Sequence, residues 1–258
     1  VEPDIESYNA VISAYSKKGD AARAEAVLQQ MENYDGEYSL TPNTKTYNTV
    51  IQSLVKSGEP DAAERAEGWL DQMIQRGLHD GNTSIRPDKI SYDFVIAAWG
   101  QSYARDKALR AHRLLQKMMD SSNHGKDNEK PIKPDGYTLT HFLRSCGSTV
   151  GSPDDKKVAL ELAIKTFEEM TTNPSIENPN QFAYSGMLSA CARLSVDAKE
   201  RSDLLERFFN ECIKDGQVSK IAVDIFRDNV PNAVSSKILP HGKIPRIWSV
   251  HVRARDRP

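Results

Sequence analysis

Cysteine is scarce in this 258-residue chain. Three are present, none closer than 21 positions to the next, which excludes a disulfide scaffold and a Cys-x-x-Cys zinc site. Their placement suits a reducing compartment. No apolar run approaches the ~20 residues that a membrane-spanning helix needs. Neither sign of charge dominates: 34 basic and 36 acidic side chains leave a net charge of −2, so bulk electrostatics gives no reason to bind a polyanion. Hydrophobic residues, at 38%, are too few for one large core, yet the balanced composition is not that of a disordered chain. None of the six histidines lies in His-x-Glu or at helical spacing from a second ligand, and no phosphate-cradling glycine loop or nucleophile elbow is present. The chain is therefore expected to be no enzyme and to need neither cofactor nor metal. It opens at Val1 without an initiator Met, which reads as an excised segment with any targeting peptide upstream.

What the chain does have is internal repetition. A prolyl dipeptide recurs as Pro3-Asp4, Pro42-Asn43, Pro87-Asp88, Pro134-Asp135 and Pro179-Asn180, at steps of 39, 45, 47 and 45 residues. Five residues after each proline stand Tyr8, Tyr47, Tyr92, Leu139 and Tyr184. The next position is always small and polar: Asn9, Asn48, Asp93, Thr140 and Ser185. Apolar pairs follow, from Val11-Ile12 to Met187-Leu188, and then a small residue: Ala14, Ser53, Ala98, Ser145 or Ala190. A second element in each copy ends on Met31, Met73, Met118 or Met170. Alanine stands seven residues earlier (Ala24, Ala66, Ala111, Ala163), and the fifth copy replaces the pattern with Leu205, Phe209 and Cys212.

Both elements have helical spacing, with apolar residues at three- and four-residue steps forming one stripe. Asp or Asn after proline is a favoured N-cap, because its side-chain oxygen takes an orphan helix N–H. Gly19 and Gly58 suit the turn between the two helices, where a left-handed residue ends the first. Each unit is a helical hairpin too small to bury its own apolar face, so neighbours must stack. The expected fold class is all-α: a superhelical α-solenoid of about five stacked hairpins plus a terminal capping helix.

Long polar connections separate the hairpins, notably Gln75 to Arg86 and Asp120 to Lys133, the latter expected to be a mobile loop. Residues 1–230 form the repeat domain. The helix expected over Val218 to Asn229, with Ile221, Ala222, Ile225 and Phe226 inward, caps it. Residues 231–258 read as a basic tail or linker. From Lys237 onward, six Lys and Arg face one acidic residue, with Lys243, Arg246, Arg253, Arg255 and Arg257 available to phosphates. Alternation at Trp248, Val250, Val252 and Ala254 permits a strand, but with no partner strand the tail is expected to be extended.

Pro-Asp/Asn, two residues, Ser/Thr, Tyr, Asn and an apolar pair, followed by Ala-x-x-x-Leu/Phe-x-x-Met, resembles the pentatricopeptide repeat family from about Pro3 to Gly216. Tetratricopeptide repeats share the second-helix pattern, but their Trp-x-x-Leu-Gly-x-x-Tyr first helix is absent. The resemblance implies single-stranded RNA binding, about one base per repeat. By it, the base readers are Asn9 with Asn43, Asn48 with Asp88, Asp93 with Asp135, Thr140 with Asn180, and Ser185 with Ser219. Bases would stack on residues three positions before each reader: Lys45, Ile90, Tyr137 and Phe182, with Glu6 a departure from the apolar preference. The family's pattern implies a pyrimidine for the first pair, uracil for the second and adenine for the fourth. The third and fifth are unread, and the N-terminal repeat lies toward the RNA 5′ end. It further implies a mitochondrial or plastid protein in organellar RNA processing, stability or translation, with other RNA-processing proteins as partners and no membrane.

Simpler roles stand beside these. The Tyr and Met series, like Cys146 and Cys191, read as hairpin core, and capping alone explains the residue type at Asp88 and its equivalents. The small polar residue after Tyr is harder to explain structurally, because Asn, Asp, Thr and Ser are mediocre helix formers. Two alternatives to an RNA-binding adaptor are a protein-binding solenoid scaffold and the RNA-recognition arm of a processing enzyme whose catalytic domain is absent.

Overall fold

Every repeat begins with the same local device. In a computed structural model describing residues 4–34, 40–79, 82–121, 132–173, 178–239, 244–252 and 254–258, helices α1 (Ile5–Lys18), α3 (Thr44–Ser57), α5 (Lys89–Gln101), α7 (Gly136–Gly147) and α9 (Gln181–Leu194) open the five copies. Their caps are Asp4, Asn43, Asp88, Asp135 and Asn180, each accepting the N–H of the residue three positions on. Those bonds measure 2.8 to 3.1 Å. Pro3 itself lies outside the described residues, as do 122–131 of the expected loop and, in the C-terminal stretch, Lys243 and Arg253.

The second helices are α2 (Ala21–Glu32), α4 (Ala62–Ile74), α6 (Lys107–Ser121), α8 (Pro153–Thr172) and α10 (Ala198–Lys214), followed by α11 (Lys220–Asn229) and α12 (Asn232–Ile238). No strand occurs among the described residues. The architecture is the all-α helical repeat that the periodicity requires. Gly19 and Gly58 end α1 and α3 at φ +70° and +69°, where a side chain would be strained.

The helices group into two units: residues 1–103 with 113–133, and 104–112 with 134–258. In the first, α3 packs on α1, α2, α4 and α5; in the second, α9 packs on α7, α8, α10 and α11. The second-helix pattern is core throughout: Ala24, Ala66, Ala111 and Ala163 are wholly buried, and Met31, Met73, Met118 and Met170 nearly so. Full burial of a side chain such as Leu28 or Phe167 contributes about 1.5–3 kcal/mol, which a lone hairpin could not collect. Tyr47, Tyr92, Leu139 and Tyr184 are equally buried and belong to the core, whereas Tyr8 in the first copy is only half-buried. The hydroxyl ends are satisfied: Tyr47 donates to Glu32 and Tyr184 to Asp215, each at 2.5 Å. Burial, and then the carboxylate partner, push both phenols well above their usual range.

Four expectations change. Val11 is 44% exposed and Ala14 is exposed, although their equivalents in later copies are buried. Among the described residues no helix covers that side of α1. The stretch from Gln75 to Arg86 is largely wound into helical turns, Gln75–His79 and Thr83–Ile85, and buries Ile85. In α11 the buried residues are Ala222, Val223 and Phe226, whereas Ile221 is 58% exposed.

The C-terminal stretch is not extended. Short 3-10 turns at Arg246–Ser249 and Ala254–Asp256 fold it back on the second unit. Val218 N–H donates to Trp248 O at 2.8 Å, His251 N–H to Gly216 O at 3.1 Å, and Gln181 Nε2 to Asp256 Oδ2 at 3.0 Å. The alternation at Trp248, Val250 and Val252 makes turns rather than a strand, because Val252 is buried while Val250 is exposed.

Candidate nucleic-acid interface

The reader positions lie in the second turn of each first helix, one turn beyond its cap. At the α1–α3, α3–α5 and α9–α11 junctions they are bonded to the cap of the next helix, directly or through one hydroxyl. In the first unit, Asn48 on α3 donates through Nδ2 to Asp88 Oδ1, the cap of α5, at 3.0 Å. Its Oδ1 accepts the Ser91 hydroxyl at 2.7 Å, and the side chain is left 7% exposed. Asn9 and Asn43 are joined through one residue. Thr46 Oγ1 lies 2.7 Å from Asn9 Oδ1 and 3.2 Å from Asn43 Oδ1. Asp93, on α5, accepts from Lys89 Nζ at 2.8 Å. It belongs to the first unit and Asp135 to the second.

In the second unit, Ser185 and Ser219 meet hydroxyl to hydroxyl at 3.1 Å, with Ser219 serving as the N-cap of α11. Thr140 and Asn180 are not bonded to each other. Thr140 Oγ1 donates to Gly136 O at 2.7 Å, and Asn180 Oδ1 accepts the N–H groups of Phe182 and Ala183.

The stacking positions share one property. Lys45 is exposed, and so are three large apolar side chains: Ile90 at 48%, Tyr137 at 59% and Phe182 at 40%. Single exposed apolar side chains are ordinary on a protein surface; what sets these three apart is their common register in successive repeats. Tyr137 also packs edge-on against His141, with ring centroids 4.6 Å apart, which holds its orientation. Glu6 is exposed as well. Elsewhere, among the described residues, no group of three His, Cys, Asp or Glu side chains is placed to hold a metal ion, and no helix is long and apolar enough to cross a membrane.

Residue-type reasoning overlooked Thr46 and Ser91, the hydroxyls that touch the readers. The signal was the Ser/Thr four residues after each proline, which the fifth copy replaces with Ala183.

A family model described as pentatricopeptide repeat domain matches residues 1–57, and one for a single such repeat matches residues 45–78. Residues 1–78 are pentatricopeptide repeats. The matched residues include Asn9, Asn43 and Asn48, three of the expected base-reading positions. A pentatricopeptide repeat-containing protein of Arabidopsis thaliana is similar to this repeat protein, 39% identical over 70 residues. That alignment covers 27% of the present chain and 11% of the relative.

Proposed function

We propose that this pentatricopeptide repeat chain is an RNA-binding adaptor that reads single-stranded RNA at about one base per repeat. Supporting this is one observation above all: Asn48 and Asp88, from consecutive repeats, form a bonded pair beside an exposed apolar residue, Ile90. Short polar side chains at such a junction suit base-edge hydrogen bonds, and exposed Ile90, Tyr137 and Phe182 suit base faces. Affinity then comes from stacking, about 1–3 kcal/mol per base, rather than from bulk charge, in keeping with a net charge of −2. The cellular setting that goes with this reading is organellar RNA processing, stability or translation, in a mitochondrion or plastid, alongside other RNA-processing proteins.

Selection from a random RNA pool at moderate salt tests the reading. Enrichment should converge on pyrimidine, U, any base, A, any base, and should vanish when Asn9, Asn48 and Thr140 are all replaced by alanine. A pool with no enrichment over that triple variant would exclude RNA reading and leave a protein-binding scaffold.

A further inference from the structure

Asparagine is an ambiguous reader. Its amide carries two donors on one arm and an acceptor on the other, and a half-turn about the last side-chain torsion exchanges them. Whichever arm faces a base decides whether a carbonyl or an amino group is selected. Something must therefore hold the amide.

Both asparagine readers are held by the same part. Ser91 is wholly buried; its Oγ accepts the Asp88 backbone N–H at 3.1 Å, and of the two acceptors for its proton Asn48 Oδ1 at 2.7 Å is nearer than Asp88 Oδ1 at 3.0 Å. Thr46, also wholly buried, accepts the Asn43 N–H at 3.3 Å, and Asn9 Oδ1 at 2.7 Å is a nearer acceptor for its proton than Asn43 Oδ1 at 3.2 Å. In each case the capping-box hydroxyl of one repeat occupies the amide oxygen of the repeat before it. The oxygen arm is consumed inside the protein. Asn48 retains one N–H beyond the bond to Asp88, and Asn9 Nδ2 has no hydrogen bond among the described residues. Both present donors.

We propose that Thr46 and Ser91 are positioning residues that set base selectivity at the repeat preceding their own, by locking Asn9 and Asn48 with the N–H arm outward. This rests on the base-reading function proposed above and adds residues outside the reader pairs to it. A donor-only edge matches a ring carbonyl, which both pyrimidines carry at C2 and adenine lacks, and gives no acceptor to an exocyclic amino group. The two locks differ in strength. A flipped Asn48 would set its oxygen against the acceptor-only carboxylate of Asp88, so that residue is held twice. Asn9 faces the Asn43 cap and Thr46, whose hydroxyl can accept as well as donate, so only the short 2.7 Å bond favours its orientation and its hold is the weaker. The fourth repeat has no lock, because Ala183 stands where the hydroxyl would be, and its reader is a threonine that bonds its own helix.

Base frequencies after selection from random RNA, with thermal unfolding run in parallel, provide the test. Thr46→Val should lower pyrimidine preference at the first position by about tenfold, the scale of one oriented hydrogen bond. Ser91→Ala should lower it less at the second, and Thr46→Ser should restore wild-type preference. Because Thr46→Val also removes part of a helix cap, a constructive variant is needed. Thr140→Asn with Ala183→Ser should install a pyrimidine preference at the fourth position several-fold sharper than Thr140→Asn alone. Equal preference in those two variants, or an unchanged first position in folded Thr46→Val, overturns the proposal. Asn9→Ala separates the two layers. If it too leaves the first position unchanged, the base-reading function of Asn9 fails and the proposal falls with it. If it erases the preference while Thr46→Val does not, only the positioning role is overturned.

Discussion

Gly19 and Gly58 offer a controlled comparison, since they occupy the same turn in consecutive hairpins at nearly the same φ, +70° and +69°. Alanine at either must adopt a left-handed backbone, at about 1–2 kcal/mol, partly offset by about 0.4–1 kcal/mol from the stiffer unfolded chain. At Gly58 nothing lies within 4 Å of the added methyl, so the net cost should be about 1 kcal/mol. At Gly19 the methyl would lie 3.0 Å from the Lys56 carbonyl oxygen and 3.7 Å from Ser57 Cα, both backbone atoms at the end of α3. Neither can swing aside as a side chain would. Overpacking of this kind adds about 1–3 kcal/mol, so Gly19→Ala should cost roughly 2–4 kcal/mol in total. Urea unfolding of the two variants, with slopes compared to confirm a common unfolded state, measures the difference. Equal midpoint shifts would refute the idea that the first turn is wedged against the second repeat.

Other consequences can be measured separately. Cys146, Cys191 and Cys212 are wholly buried, and burial raises all three thiols, Cys191 to about 12, so a thiol reagent should label none until the chain unfolds; rapid labelling of native protein would contradict the packing. Burial foremost, and then Lys165, lower the His112 imidazole against an opposing pull from Glu169, so below pH about 6.5 the unfolded chain binds more protons than the fold. Stability should be full above that pH and fall as pH drops toward the depressed value. The decline should be weaker in His112→Gln, and an identical decline in both would remove His112 as the cause. Arg246 and Arg255 are exposed on the folded C-terminal stretch, and their joint replacement by Gln should reduce the salt slope of RNA binding by about 0.7 per lost phosphate contact without altering base preference; an unchanged slope would exclude them.

The parts of the fold that were legible are those governed by local chemistry. Asp4, Asn43, Asp88, Asp135 and Asn180 cap helices because the cap bond spans only three residues. Ala66 and Met73 are core because helical spacing places them on one stripe. Where sequence reasoning stopped, the cause was a neighbour remote in the chain. Val11 fits the apolar pattern yet is exposed, since burial there depends on a helix outside the hairpin. The alternation around Val252 resembled a strand, but backbone bonds to Gly216 and Val218 turn the chain back instead. At the candidate interface, each expected base-reading position was found from its own residue type and register. Ser91 was not, because its role arises only when α3 and α5 bring Asn48 within 2.7 Å of it.

The most direct measurement of base reading exchanges one reader and follows every position of the RNA. Asn48→Thr, selected against random RNA alongside the parent chain, keeps Asp88 as its partner while replacing an amide by a hydroxyl. The second position should move from uracil toward guanine, and the fourth, set by Thr140 and Asn180, should stay at adenine. A shift at the fourth position, or a loss of affinity with no change of preference at the second, would contradict the assignment of Asn48 and Asp88 to that base.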